Sequence, residues 1–322
     1  MKIAVMGNIH SDGWDVLEKA HFESFEIFNF DEKNLTKDLK DVDGILLRTA
    51  NLSSNILSKC NNLKIVARHG VGYDNVDLGY LNQNKIALCI TGTSNAVSVA
   101  EHVLTTFLYL TKNIHLSDKL IREGKFKEKS SLPNFFELYQ KNILILGFGR
   151  IGRAVAKRCL GFEAKVFVFD PFINRKDIEE HNCIPIDKND GIKLADYISI
   201  HLPINKDTKN FISENELSLM KKSTIIVNTA RGGIINEQSL AKSLQNKKIL
   251  AAGLDVFEKE PPEENNPILK LSNVLLSPHN AALTLECRKR MATEAAENIV
   301  YFLRNQKNLN VNNIVNRKEL NF

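Results

Sequence analysis

Asn142-Ile-Leu-Ile-Leu-Gly-Phe-Gly-Arg-Ile-Gly152 runs straight into Arg153-Ala-Val-Ala-Lys-Arg-Cys-Leu160. An unbroken apolar run of strand length meets three glycines in Gly-x-Gly-x-x-Gly spacing, and a stretch of helical period follows. The glycines have separate tasks. Gly147 permits the tight turn, Gly149 lets the backbone approach a pyrophosphate, and Gly152 allows the helix to pack on the strand. The anion then meets unpaired N–H groups at the positive end of the helix. The next strand, Lys165-Val-Phe-Val-Phe169, closes on Asp170, at the offset of about 20 residues where an acid binds the ribose hydroxyls. A carboxylate there repels a 2′-phosphate, and no Arg follows until Arg175, so the expected cofactor is NAD rather than NADP.

The alternation of strand and helix extends outward from this unit. Downstream, apolar runs at Tyr197–Ile200, Thr224–Val227, Leu250–Leu254 and Asn273–Leu276 read as strands buried on both faces, as in a parallel sheet. Upstream, a first series is expected at Lys2–Met6, Phe25–Phe28, Gly44–Leu47, Lys64–Ala67 and Ile86–Cys89. Val97–Ile121 reads as one long helical stretch, and Glu123–Gln140 as a surface connection. The closing helix, Thr284–Leu303, is amphipathic, and the Asn-rich tail after Asn305 is expected to pack poorly. The fold class is therefore α/β, two Rossmann-like lobes with parallel sheets and a cleft between them.

Composition narrows the class further. The 322 residues are 43% hydrophobic and 25% charged, enough for full-sized cores and against disorder. A net charge of +5 is spread along the chain, which suits a small anionic partner and lacks the basic block of a nucleic-acid binder. No window holds the roughly 18 uninterrupted apolar residues of a membrane span, and the glycine-punctuated start does not read as a signal peptide. The 5 cysteines are scattered with no Cys-x-x-Cys, so neither a disulfide framework nor a metal site is expected, and the setting read from them is a reducing cytoplasm.

Three polar residues fall just past expected strands, on the edge where α/β enzymes place chemistry. Arg231 lies in Asn228-Thr-Ala-Arg-Gly-Gly233, Glu260 in Val256-Phe-Glu-Lys-Glu-Pro-Pro262, and His279 in Ser277-Pro-His-Asn280. Oxidising a 2-hydroxy acid needs a group to take the hydroxyl proton and a cation to hold the carboxylate. His is the usual proton carrier near neutral pH, and a neighbouring carboxylate fixes its tautomer. Arg suits the second task because its fork binds a carboxylate in two places.

With these motifs in order, the chain resembles the D-isomer-specific 2-hydroxyacid dehydrogenase family over essentially its whole length. The matching blocks are Gly147–Gly152 with Asp170, His201-Leu-Pro203 through Thr208, Asn228–Gly233, Gly253–Pro261 and Pro278-His279. The resemblance implies Arg231 as the substrate-binding arginine, His279 as the acid/base and Glu260 as its partner. It implies further cofactor contacts at Arg150, Ile151, Leu202, Pro203, Thr208, Thr229, Ala230 and Asp255. It also implies a substrate domain from residues 1–99 completed by 288–322, an NAD-binding domain at 100–287, and a homodimer. One departure is Asn280-Ala-Ala282, where the family commonly has a small, Gly-containing stretch.

In the expected substrate domain, Arg68-His-Gly-Val-Gly-Tyr-Asp74 is a glycine-rich turn whose N–H groups can form an anion nest. By resemblance, Val71 and Gly72 bind the substrate carboxylate. Leu47-Arg-Thr-Ala-Asn51 and Gly70–Asp77 resemble segments of D-3-phosphoglycerate dehydrogenases, whose Arg approaches the substrate phosphate. Arg48 is open between a phosphate contact, a carboxylate contact in a glyoxylate or hydroxypyruvate reductase, and a salt bridge between lobes. With the chain ending at Phe322, serine feedback through a C-terminal regulatory domain is not expected. A non-enzymatic NAD(H)-binding corepressor is the reading from another class.

Overall fold

Alternate residues of one strand point to opposite faces of its sheet, so a run that is apolar throughout needs cover on both sides. A computed structural model describing residues 1–321 shows two such sheets, each built only of parallel pairs. Phe322, the last residue of the expected substrate domain, lies outside the described residues.

The first compact unit joins Met1–Asn95 to the chain from Leu283 onward. Its strands are β1 (Lys2–Met6), β2 (Glu23–Ile27), β3 (Gly44–Leu47), β4 (Ile65–Arg68) and β5 (Ala87–Cys89), in the order β2-β1-β3-β4-β5. Ala4, Met6, Ile45, Leu47, Val66 and Leu88 enter the core on one face. Ile3, Val5, Leu46, Ile65, Ala67 and Ala87 enter the core on the other. Helices Ser11–Lys19 and Leu285–Leu303 pack together over that second core, the latter capped by Thr284, whose hydroxyl accepts from Cys287 N at 3.2 Å.

The second unit is Ala96–Ala282. It contains β6 (Asn142–Leu146), β7 (Lys165–Phe169), β8 (Ile184–Pro185), β9 (Tyr197–Ile200), β10 (Ile225–Asn228), β11 (Ala251–Leu254) and β12 (Val274–Leu276), in the order β12-β11-β10-β9-β6-β7-β8. Ile143, Ile145, Val166, Val168 and Val227 face one core, and Leu144, Leu146, Ile198, Ile200 and Ile226 the other. Because every pair is parallel, the carboxyl ends of these strands share one edge of the sheet. The chain changes units four and five residues earlier than the sequence places the domain limits, at the start of helix Ala96–Lys112 and just before the Thr284 cap. A helix packs as one body, so contacts change hands at its end.

Two expectations need correction. The stretch 97–121 is two helices, Ala96–Lys112 and Ile114–Arg122, broken at Asn113, which takes the left-handed conformation at φ 45°. Asn tolerates that region better than most side chains, and helical periodicity runs on across the break. The tail is also not loosely packed: Asn313, Ile314 and Asn316 are buried. Asn316 Oδ1 accepts from Leu88 N at 2.9 Å and its Nδ2 donates to Ile86 O at 2.8 Å, while Val315 N donates to Leu88 O at 2.8 Å. The tail thereby satisfies backbone groups of the edge strand β5.

Candidate active site

The glycine turn after β6 is shaped by close approaches. Gly147 sits at φ 95°, and a Cβ there would strike the His201 carbonyl, while one at Gly152 would strike the carbonyl of Gly147 itself. At Gly149 a Cβ would meet open space. Gly149 caps helix Arg150–Gly161 without a side-chain hydrogen bond, so no capping side chain competes with an anion for the first turn, which carries Arg150 and Ile151. Asp170, half-buried at the end of β7, accepts from Phe148 N at 2.8 Å and Phe172 N at 2.9 Å. Its carboxylate is thereby anchored to the glycine turn.

Past β9, Leu202 is buried and Pro203 exposed. The Thr208 hydroxyl donates to Pro203 O at 2.6 Å and accepts from Asn205 N at 2.8 Å, which pins this loop. At the end of β10, the buried Asn228 accepts from Ala230 N at 3.0 Å and donates to Arg231 O at 2.8 Å. Thr229 Oγ1 is buried there with no protein partner, an orphaned polar atom of the kind a ligand satisfies. An open glycine cradle, an anchored acid at the next strand end and this hydroxyl together fit a bound dinucleotide.

Arg231, Glu260 and His279 follow β10, β11 and β12, three neighbouring strands. Gly232 has no room for a side chain, because a Cβ there would overlap the carbonyl of Phe257. The Arg231 loop therefore lies directly on the loop that leads to Glu260. Glu260 Oε1 accepts from Phe257 N at 3.1 Å, and Oε2 meets His279 Nδ1 at 2.8 Å. An ionised carboxylate only accepts, so Nδ1 carries the hydrogen and Nε2 is the ring nitrogen turned away from Glu260. An ion pair this exposed contributes at most about 1 kcal/mol to stability. Its fixed geometry serves orientation instead.

Asp255, read from sequence as a cofactor contact, has its carboxylate turned to the His279 loop. It accepts from Ser277 Oγ at 2.6 Å, Asn280 N at 2.9 Å and Ala281 N at 3.0 Å. Asn228 and Ser277, which stand in the quoted motifs without an assigned role, hold the Arg231 and His279 loops. The signal for Asn228 is its place as the last residue of a buried strand.

In the first unit, Arg48 follows β3, while Val71 and Gly72 lie on the loop after β4. Arg68, which the sequence reading left without a role, ties these two loops together. Its Nε donates to Gly72 O at 2.7 Å and its Nη1 to Leu47 O at 2.8 Å and to Arg48 O. Arg48 Nη1 donates to Asn8 O at 2.9 Å. Burial first, then the charge of Arg48, pushes the neighbouring His69 imidazole down to about 4, so it stays neutral among cations. Among the described residues no group of three or more His, Cys, Asp or Glu is placed to hold a metal, and no helix is long and apolar enough to cross a membrane.

Residues 104–281 match the family model described as D-isomer-specific 2-hydroxyacid dehydrogenase, NAD-binding domain. D-3-phosphoglycerate dehydrogenase of Archaeoglobus fulgidus is 34% identical over 317 residues, covering 98% of this chain and 59% of that protein. The chain thus spans about three fifths of the length of the phosphoglycerate dehydrogenases it matches first. Hydroxypyruvate reductase of Thermotoga maritima is 36% identical over 274 residues, 84% of this chain and 88% of that protein. The crystal structure of D-lactate dehydrogenase from Aquifex aeolicus complexed with NAD and lactic acid superposes with a TM-score of 0.85 at 27% identity, covering 97% and 98% of the two chains. With the strand-end constellation and the glycine cradle already in place, these likenesses settle the kinship: the chain belongs to the D-isomer-specific 2-hydroxyacid dehydrogenase family and carries that family's NAD-binding domain.

Proposed function

We propose that the protein is an NAD-dependent D-2-hydroxyacid dehydrogenase of the phosphoglycerate dehydrogenase type, interconverting a small anionic 2-hydroxy acid and its 2-oxo acid. The observation that carries this reading is the 2.8 Å contact of His279 Nδ1 with Glu260, on the sheet edge shared with Arg231. NAD would be held by Gly147, Gly149, Arg150, Ile151 and Gly152, with Asp170 at the ribose and Leu202, Pro203, Thr208, Thr229 and Ala230 around it, while Asp255 serves the His279 loop; when bound it supplies hydride exchange. In oxidation, neutral His279 takes the hydroxyl proton at Nε2, and in reduction protonated His279 returns it to the carbonyl oxygen. Glu260 holds the ring in the tautomer that leaves Nε2 facing its task and stabilises the imidazolium. Arg231 grips the substrate carboxylate and draws electron density toward the reacting oxygen.

We assign substrate binding to Arg48, Val71 and Gly72. The cationic setting of Arg48 and Arg68 supports a substrate with a second anionic group, a phosphate. The small-acid reading, glyoxylate or hydroxypyruvate reductase, is favoured by the Nη1 of Arg48 being engaged with Asn8 O. The two are separated by NADH oxidation with 3-phosphohydroxypyruvate, hydroxypyruvate and glyoxylate. A charge-assisted phosphate contact gives the phosphorylated acid a kcat/KM roughly tenfold to a hundredfold higher. Equal values for the two hydroxypyruvates make the protein a small-acid reductase.

The homodimer remains part of the proposal. Helix Ile114–Arg122 has no buried residue, and Ile114 and Ile121 on it and Phe126 beyond it are exposed, a face suited to a second copy. All five cysteines are free thiols, which suits the reducing cytoplasm proposed for it.

A further inference from the structure

His279 is held in a backbone conformation that non-glycine residues seldom adopt, with φ 50°. The groups that hold it there come from both sides in sequence. Asn280 N and Ala281 N, just after it, donate to the buried Asp255 at 2.9 and 3.0 Å. Ser277 Oγ, two residues before it, lies 2.6 Å from Asp255 Oδ1. A hydroxyl has one proton, and a contact this short to a carboxylate takes it. Ser277 Oγ can therefore only accept from its other neighbour, His102 Nε2, at 3.1 Å. His102 stands on helix Ala96–Lys112, 175 positions away in sequence.

We infer that His102 and Ser277 are positioning residues for the acid/base, acting through a directed chain: His102 Nε2–H to Ser277 Oγ–H to Asp255, whose carboxylate also holds the two amides after His279. The chain fixes the loop on either side of His279, so that Nδ1 stays on Glu260 and Nε2 on the reacting oxygen. This rests on the proposed role of His279. Loss of the hydroxyl frees the leading side of the loop, and loss of the imidazole donor lets Ser277 rotate away from Asp255. Neither residue touches the proton in flight.

The test compares Ser277→Ala with Ser277→Thr, and His102→Phe with His102→Gln, in NADH-dependent reduction of the best 2-oxo acid. Ser277→Ala and His102→Phe are expected to lower kcat by about tenfold to a hundredfold, as when a bond to a charged group that orients a catalyst is lost, with the KM for NADH within about twofold. Thr restores the hydroxyl and Gln the N–H donor, so both recover most of the rate. Amide resonances of Asn280 and Ala281 are expected to move in the two damaging variants and return in the two conservative ones. Wild-type kcat in Ser277→Ala, or a loss that Thr does not recover, overturns the inference. Should Ser277→Ala fail to fold, the His102 pair decides by the same criterion. Should the wild type reduce no 2-oxo acid, the functional reading falls, and the inference stands or falls on whether the two amide resonances move.

Discussion

Asp170 reaches back from the end of β7 to the amide of Phe148 in the glycine turn, so its charge is fixed beside the turn that is proposed to hold the dinucleotide. Like charges at short range in a partly desolvated site repel strongly, which is the physical basis for preferring NAD over NADP. Asp170→Asn keeps an acceptor for one amide and removes the charge. The ratio of kcat/KM for NADH over NADPH is expected to fall by about tenfold or more in this variant. An unchanged ratio, read from steady-state kinetics with both cofactors, removes Asp170 from the account of specificity. The places of Asp170, Arg231, Glu260 and His279 past strand ends are legible in the sequence because each follows an apolar run and belongs to a spaced motif. Ser277, His102 and Arg68 are not, because each works through a partner that only the folded chain brings near. The positive φ of His279 likewise leaves no trace in composition.

At the scale of elements, strands buried on both faces announce themselves as unbroken apolar runs, and β1, β3, β6, β7 and β9 fall where those runs lie. β8 did not, since it has two residues, one of them proline. The tail packs against the expectation because an Asn-rich stretch has the composition of a loop, whereas here Asn side chains act as backbone partners. Asn316 satisfies Leu88 N–H on the edge strand β5 and Ile86 C=O just before it. Asn316→Ala leaves both groups buried without partners, at a cost of about 2 kcal/mol. Urea unfolding followed by circular dichroism is expected to show that loss in the first unit. An unshifted midpoint means that the tail contributes nothing to closing the sheet.

In each compact unit, desolvation holds one histidine neutral. Burial pushes His201 down to about 3 in the second unit, and burial followed by the charges of Arg48 and Arg68 pushes His69 down to about 4 in the first. The unfolded chain takes up protons at both from about pH 6.5 downward while the folded chain does not, so stability is full above that pH. It is lost as pH falls, at about 1.4 kcal/mol per unit for each histidine, until the folded values are reached. Unfolding midpoints are expected to drop between pH 7 and 4.5, above most carboxylate titration, and to drop less in His201→Gln. Equal slopes in the two proteins contradict this origin of acid sensitivity.

The central claim concerns proton transfer at His279, and the rate of NADH oxidation by His279→Ala beside wild type, at saturating 2-oxo acid, tests it most directly. The account predicts a fall of about two to four orders of magnitude, with NADH binding retained because the glycine cradle is untouched. Turnover by the variant at the wild-type rate would contradict it.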